Sequence, residues 1–94
     1  MAKPKSFQFV YDSEKIDIVY DGHLTYSLYV NDVLNDQRSG LMAIPVIGGS
    51  RLIGSGSTGE YIEVFIRNMG VFFRIEVEYQ GHLVATKNFI WQKN

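Results

Sequence analysis

Two histidines recur in almost the same sequence context, as YDGHL at Tyr20–Leu24 and YQGHL at Tyr79–Leu83. Imidazoles brought to one place could bind zinc, but a zinc site needs further His, Cys, Asp or Glu ligands in a tetrahedral array. The chain has only these two histidines and no cysteine. The longer match of Ile16–Leu24 with Ile75–Leu83 has the pattern of a β-hairpin: an alternating strand, a two-residue turn with glycine, and a new strand. We therefore predict two similar hairpins, with no metal ligands and no cofactor; the metal interpretation returns only if the hairpins lie side by side.

Serine and glycine are concentrated in one segment, GGSRLIGSGSTG at Gly48–Gly59. A phosphate-binding loop of the nucleotide-triphosphate type would need lysine where Ser55 stands and a helix after the loop, but the strand-like EYIEVFI follows. A serine nucleophile would need a Gly-x-Ser-x-Gly turn between a strand and a helix, and that context is also absent. We expect a long mobile loop, which is either a plain connection or a contact surface that includes Arg51, Ser55 and Ser57.

The carboxylates do not form a catalytic or calcium-binding set. Glu76 and Glu78 alternate with Arg74 along one strand, which is the pattern of a charged outer face. Asp32 and Asp36 lack the alternating spacing of a calcium-binding loop and are typical of turns. Because no residue set offers an acid, a base and a nucleophile together, we predict no catalytic residues and no enzymatic activity.

The elements that would position these residues are strands, because period-two alternation dominates the chain. In Phe72–Tyr79 the odd positions are apolar or aromatic, and the even positions after Phe72 are charged. Other strand-like runs are Phe7–Tyr11, Ile16–Tyr20, Leu24–Val30, Glu60–Arg67 and Leu83–Trp91. No long window shows helical periodicity, so helix is at most a short turn around Asp32–Gln37. We predict an all-β antiparallel sandwich of six or seven strands, with a small β-barrel as the alternative.

The last three runs read EYIEVFIRN, MGVFFRIEVEY and QGHLVATKNFIW, and they contain Gly70, Phe72 or Phe73, Gly81 and Phe89. They resemble the closing strands of bacterial immunoglobulin-like sandwiches, over about a third of the chain. The resemblance implies a sandwich with immunoglobulin-like closing topology, and it carries no functional residues. The Cys…Trp…Cys hallmark of antibody domains is absent.

The segment SRLIGSGSTGEYIEV is similar to the glycine-rich loop of chagasin-like cysteine-protease inhibitors, which are also immunoglobulin-like sandwiches. The Asn-Pro-Thr-Thr-Gly loop and the Arg-Pro-Trp loop of that family have no counterpart in this sequence. The resemblance therefore implies only one of the three binding loops.

Aromatic residues fall on strand faces that should be exposed. If the apolar residues of Glu60–Arg67 at even positions point inward, Tyr61 and Phe65 point outward, and Phe72 begins the charged face of the next strand. Aromatic residues are enriched at the centres of interfaces. The alternative is that this face packs under a loop of the same chain.

The leading functional hypothesis is a non-enzymatic protein-binding module: a small inhibitor, an immunity or accessory protein, or an assembly subunit. It would bind a protein partner or a second copy through Tyr61, Phe65 and Phe72, or through the loop residues Arg51, Ser55 and Ser57. The alternative is a carbohydrate-binding sandwich in which Tyr29, Tyr61 and Trp91 stack on sugar rings.

Composition limits the partners and the compartment. The 94 residues fit one domain, residues 1–94, and a net charge of −1 gives no field that would attract nucleic acid or an anionic membrane. The N-terminal MAKPKSFQF has no apolar run of signal-peptide length, and the apolar run Leu41–Ile47 is far shorter than a membrane helix. We therefore expect a cytoplasmic protein with neither nucleic acid nor a membrane as its partner.

Overall fold

A computed structural model describes residues 5–21, 25–39 and 50–90, and every regular element in these ranges is a strand. The eight strands are β1 (Lys5–Tyr11), β2 (Glu14–Tyr20), β3 (Thr25–Val30), β4 (Val33–Ser39), β5 (Ser50–Ser55), β6 (Tyr61–Asn68), β7 (Phe72–Tyr79) and β8 (His82–Ile90). The predicted all-β fold is confirmed, with eight strands rather than six or seven. Within the described ranges, no helix could cross a membrane.

The strands form two four-stranded sheets, sheet A in the order β1-β2-β3-β4 and sheet B in the order β5-β6-β7-β8. Every pairing is antiparallel and joins strands that are consecutive in the chain. In immunoglobulin domains, by contrast, Greek-key connections send some consecutive strands, such as the closing strands E and F, to different sheets. The antiparallel sandwich is therefore present, but its closing strands β6, β7 and β8 lie side by side in one sheet.

Three of the turns are two-residue turns with positive φ at both central residues, which is the geometry of a type I′ hairpin turn. They are Asp12-Ser13 (φ 52° and 64°), Asn31-Asp32 (φ 52° and 69°) and Gln80-Gly81 (φ 54° and 83°). Such turns match the right-handed twist of the strands they join, so each hairpin begins in a fixed register. Gly22, His23, Leu24 and Trp91 lie outside the described residues.

The core lies between the inner faces of the two sheets, where the alternating apolar residues meet. The fully buried members come from both sheets: Ile16, Ile18, Tyr26 and Leu28 from sheet A, and Leu52, Ile62, Val64, Ile66, Phe73, Ile75 and Val77 from sheet B. The Phe73 ring touches both sheets, with its centroid 5.8 Å from that of Tyr20, 6.0 Å from Tyr26 and 5.4 Å from Phe89. These aromatic rings therefore pack sheet B against sheet A.

Two predictions about irregular segments are wrong. The possible helical turn at Asp32–Gln37 is instead the second residue of the Asn31-Asp32 turn followed by the first five residues of strand β4, which pairs with β3. The predicted loop at Gly48–Gly59 contains β5, which pairs with β6 over its whole length. Both strands lack a clear apolar alternation because polar and glycine residues of β4 and β5 meet the other sheet.

Gly54 illustrates why glycine in this segment does not indicate mobility. It is buried in β5, and a Cβ atom there would lie 2.8 Å from Leu28 Cδ2 and 3.0 Å from Asn35 Oδ1. A larger residue there would have to displace Leu28 or Asn35, so glycine permits the close approach of β5 to sheet A.

Candidate functional site

The predicted aromatic face is the outer face of sheet B. Tyr61 is 44% exposed, whereas Phe65 and Phe72 are half-buried. The guanidinium carbon of Arg67 lies 5.0 Å from the ring centroid of Phe65, and that of Arg74 lies 5.9 Å from Phe72. Both distances are within the range of cation–π contacts. The two phenylalanines are therefore partly covered by arginines of the same strand.

The register of sheet B separates the three aromatic residues. Arg67 lies opposite Arg74, and this pair lies between Phe65 and Phe72 along the sheet. Tyr61 and Phe65 are four residues apart on β6. The structure places all three on one face, as the alternation predicts, but it does not bring them into one continuous aromatic patch.

The arginines of this face also have polar partners. Arg67 Nε donates to Glu76 Oε1 at 2.8 Å, and Arg74 Nε donates to Asn88 Oδ1 at 2.9 Å. Arg51, on the neighbouring β5, forms a 3.1 Å ion pair with Glu63. These contacts balance the charges of the face and hold its side chains in place.

Ser55 and Ser57, the two serines predicted to contact a partner, form hydrogen bonds within the chain. The Ser55 N–H donates to Asn35 Oδ1 of sheet A at 2.9 Å. The Ser57 N–H and hydroxyl both donate to Glu14 Oε2 at 3.0 Å. Because these hydrogen bonds run within the chain, the role of Ser55 and Ser57 in partner binding stays a prediction.

Glu14 is the most buried carboxylate of the described residues, with 3% of its surface exposed. In addition to the two Ser57 donors, its Oε1 accepts a 2.7 Å hydrogen bond from Asn31 Nδ2. These donors stabilise the ionised form, so they lower the pKa of Glu14 below its ordinary value of 4.5, with the Asn31 bond the largest cause.

Other polar groups lie at the same end of the sandwich. The Tyr79 hydroxyl donates to Asp12 Oδ2 at 3.1 Å, and desolvation with this bond raises the pKa of Tyr79 to about 12. The Glu60 carboxylate accepts hydrogen bonds from Thr58, which lower the pKa of Glu60. Within the described ranges, no group of three or more His, Cys, Asp or Glu residues could hold a metal ion.

The residues of the carbohydrate alternative do not form one platform. Tyr29 lies on β3 opposite Asp17, on the outer face of sheet A, whereas Tyr61 lies on the outer face of sheet B. Trp91 is outside the described residues. Of the two histidines, His82 is exposed at the start of β8, and His23 is likewise outside the described residues.

The strands that the structure describes include four edge strands, β1, β4, β5 and β8, and side chains of β4 contact β5. Asp36 Oδ2 on β4 accepts from the Ile53 N–H at 2.8 Å, next to the Ser55 bond to Asn35. Arg38 Nε donates to the Arg51 carbonyl at 3.2 Å. Side chains of β4 thus bind the backbone edge of β5, and we call this contact the β4–β5 seam.

The third edge strand, β8, has two features that oppose the addition of another strand. Its register with β7 shifts between Val77 and Glu78, which marks a β-bulge. Lys87 lies opposite Ile75 on the core side of the sheet, and its Nζ is 5.9 Å from the Phe89 ring centroid. Bulges and inward-pointing charges are the usual protection of an edge against pairing with other chains.

The fourth edge strand, β1, has no bulge, and its one core-side charge, Lys5 opposite Tyr20, lies at its first residue. Its register with β2 runs without a shift from Lys5 opposite Tyr20 to Tyr11 opposite Glu14. Because Tyr11 and Glu14 flank a two-residue turn, they form a hydrogen-bonded pair, and the alternation directs the N–H and C=O groups of Ser6, Gln8 and Val10 outward. These outward backbone groups have no partner among the described residues.

The side chains of β1 add apolar surface to this edge. Val10 is 70% exposed and Tyr11 is 41% exposed. On the core side, Phe7 and Phe9 are half-buried, with ring centroids 5.1 Å apart. The edge is therefore regular, its core side is mainly aromatic, and its one charged residue, Lys5, lies at its start.

The sequence identified Phe7–Tyr11 as a strand but gave no sign that it is an edge. The chain was also compared with protein-family models, curated proteins and solved structures, and no match was found.

Proposed function

We propose that this protein is a non-enzymatic protein-binding module that acts by strand addition: an extended segment of its partner pairs with the free edge of β1. It would serve as a small inhibitor, an immunity or accessory protein, or an assembly subunit. The observation that carries this proposal is the comparison of the four edges. In the described part of the chain, β1 is the edge strand that has neither a seam nor a bulge, and its core-side charge, Lys5, lies only at its first residue.

Strand addition uses backbone hydrogen bonds for affinity and side-chain contacts on alternate positions for specificity. Ser6, Gln8 and Val10 would supply the backbone donors and acceptors on β1. A partner residue beside Phe7 or Phe9 would pack on the half-buried rings, which are already part of the core surface. An apolar alternating segment is therefore the expected ligand.

The outer face of sheet B is a second surface for the same function. Its arginines and aromatic residues have the composition of interface centres, and Tyr61 is the most exposed of the three predicted aromatic residues. The cytoplasm remains the compartment that we propose, which the cysteine-free composition permits.

The proposal is tested by selecting a library of short random peptides on the protein. Gln8→Pro removes an outward N–H without breaking a β1–β2 hydrogen bond, so the variant should fold but lose its edge. We expect the selected peptides to bind Gln8→Pro about tenfold more weakly or worse, a loss of about 1.4 kcal/mol.

The matched control is Thr86→Pro, which changes an exposed residue of the protected edge β8 and should leave peptide binding unchanged. Equal affinity of the peptides for the wild type and Gln8→Pro, or the absence of any binding peptide, would contradict the proposal.

A further inference from the structure

We infer that the strand added to β1 is the β1 strand of a second copy of this chain, in an antiparallel pair centred on Gln8. This inference rests on the proposed function and names its partner. The evidence for it is the sequence of β1 and the register in which β1 pairs with β2. A two-fold interface requires a surface that is complementary to itself, because each contact occurs twice.

The pattern of β1 meets this requirement. Gln8 directs its backbone groups outward, so two copies can pair Gln8 with Gln8 through both backbone hydrogen bonds. Ser6 of each copy then lies opposite Val10 of the other. Phe7 of each copy lies opposite Phe9 of the other, on the core side of the joined sheet.

The Phe7–Phe9 pairs would be non-hydrogen-bonded pairs, in which the side chains of opposite residues are closest. Four half-buried rings would thus form one strip that continues the cores of the two copies. In the isolated chain, the Phe7 and Phe9 rings already lie together, with centroids 5.1 Å apart. Their pairing would cover apolar surface that the other strands leave half-exposed.

Polar groups at the centre and the ends also match. The Gln8 amide donates to Asp17 Oδ2 at 3.4 Å, which is longer than an ordinary N–H···O bond and leaves the amide able to pair with Gln8 of the second copy. At each end, Lys5 would lie opposite Tyr11 of the second copy, next to Asp12 in the turn. The basic start of one strand would therefore meet the acidic turn of the other.

The first test is the mass of the protein in solution as a function of concentration, by light scattering and sedimentation equilibrium. We expect a monomer–dimer equilibrium for the wild type, because a single strand pair is a small interface. Gln8→Pro should remain a monomer with an unchanged circular dichroism spectrum. Thr86→Pro on β8 should dimerise like the wild type.

The second test fixes the register and does not depend on proline. The chain has no cysteine, so Gln8→Cys introduces a single thiol. In the proposed pair the two thiols lie on Cα atoms about 5.5 Å apart. A short bismaleimide should therefore link Gln8→Cys into a covalent dimer.

Ser6→Cys is the register control. Its two thiols would be offset by four residues, about 14 Å along the strands, and should give little covalent dimer with the same reagent. Equal linking of Gln8→Cys and Ser6→Cys would overturn the register.

Three results separate this inference from the function on which it rests. A wild type that stays monomeric but binds peptides through β1 would overturn the second copy and leave strand addition intact. A dimer that survives Gln8→Pro and does not link at Gln8→Cys would assign self-association to another surface. A monomer whose Ser6, Gln8 and Val10 amides are protected from hydrogen exchange would show that the chain itself covers the edge, which would overturn both proposals.

Discussion

At the scale of single residues, Glu14 shows how a buried charge can support a β-sandwich. A buried carboxylate is unfavourable unless its oxygens accept hydrogen bonds. Asn31 from the β3–β4 turn and Ser57 from the β5–β6 connection supply those bonds to Glu14 at the start of β2. The carboxylate thereby joins a turn of sheet A to a connection of sheet B.

The lowered pKa of Glu14 predicts acid-sensitive stability. A carboxyl group with a lower pKa in the folded state stabilises the fold above its unfolded pKa, and this contribution is lost as the pH falls through the folded value. Glu14→Gln should therefore unfold at lower urea concentration than the wild type at about pH 7, because its amide N–H groups oppose the Ser57 donors. The difference should shrink below the ordinary Glu value of 4.5.

Urea unfolding at several pH values measures this difference. Glu78→Gln, on the outer face of sheet B, is the control and should follow the wild type across the pH range. The interpretation of Glu14 would be wrong if Glu14→Gln matched the wild type at neutral pH.

At the scale of elements, the β4–β5 seam joins the sheets through side chains rather than through a ladder. Asp36 and Asn35 accept from outward N–H groups of β5, and Arg38 donates to a β5 carbonyl. The sequences of β4 and β5 therefore show little apolar alternation. The seam stabilises the fold because it gives hydrogen-bond partners to backbone groups of β5 that would otherwise be unpaired where the sheets meet.

The seam predicts a specific cost for Asp36→Ala. The Ile53 N–H is part-buried and would lose its acceptor, so the free energy of unfolding should fall by about 1–3 kcal/mol. Asn88→Ala is the control, because it removes an exposed side-chain acceptor of Arg74 and leaves no backbone donor unpaired. Chemical unfolding measures both. Equal stabilities of the two variants would show that the seam bond contributes nothing of its own.

The same seam explains which elements could be predicted from the sequence. β6 and β7 alternate strictly because one face meets the core and the other meets water, and this alternation identifies them as strands. Apolar alternation does not identify β4 and β5 as strands, because Asp36, Asn35 and Gly54 face the other sheet. Polar and glycine residues thus occupy positions that would otherwise be apolar. Periodicity detects burial in an apolar core, and it does not detect a polar contact between edges.

The candidate site was predictable only in part, for a related reason. Alternation correctly placed Tyr61 and Phe65 on the outer face of β6. The cover that Arg67 and Arg74 provide could have been inferred from the two-residue spacing of Phe65 with Arg67 and Phe72 with Arg74. The edge position of β1 could not, because it depends on which strands pair across the whole fold.

At the scale of the whole molecule, each sheet is built from one continuous part of the chain. The closing hairpins of both sheets share a two-residue type I′ turn and a register shift close to it, at Leu28/Tyr29 and at Val77/Glu78. The repeated sequence, Ile16–Leu24 and Ile75–Leu83, does not occupy equivalent strands of the two sheets. It begins on the second strand of sheet A and on the third strand of sheet B. The two copies of the repeat therefore each contain a core-facing strand, but these strands are at different positions in their sheets.

Because each sheet buries only one face, the stability of the molecule depends on contact between the sheets. Phe73 is fully buried in sheet B and lies against Tyr20 and Tyr26 of sheet A. We predict that Phe73→Ala lowers the free energy of unfolding by about 3–5 kcal/mol, through lost burial and a cavity. A loss of that size is comparable with the whole stability of the less stable small proteins, since the usual range is about 5–15 kcal/mol. Because the two sheets share one core, we expect them to unfold together.

The measurement is urea unfolding followed by far-ultraviolet circular dichroism and by tyrosine fluorescence, whose transitions should coincide in the wild type and shift together in Phe73→Ala. Phe65→Ala is the matched control, because the same side chain is removed from the outer face of sheet B, where it is half-buried under Arg67. Its cost should be clearly smaller. If the two variants were equally destabilised, or if the two signals separated in Phe73→Ala, the sheets would be stable units on their own, and the single core between them would not be what holds the sandwich together.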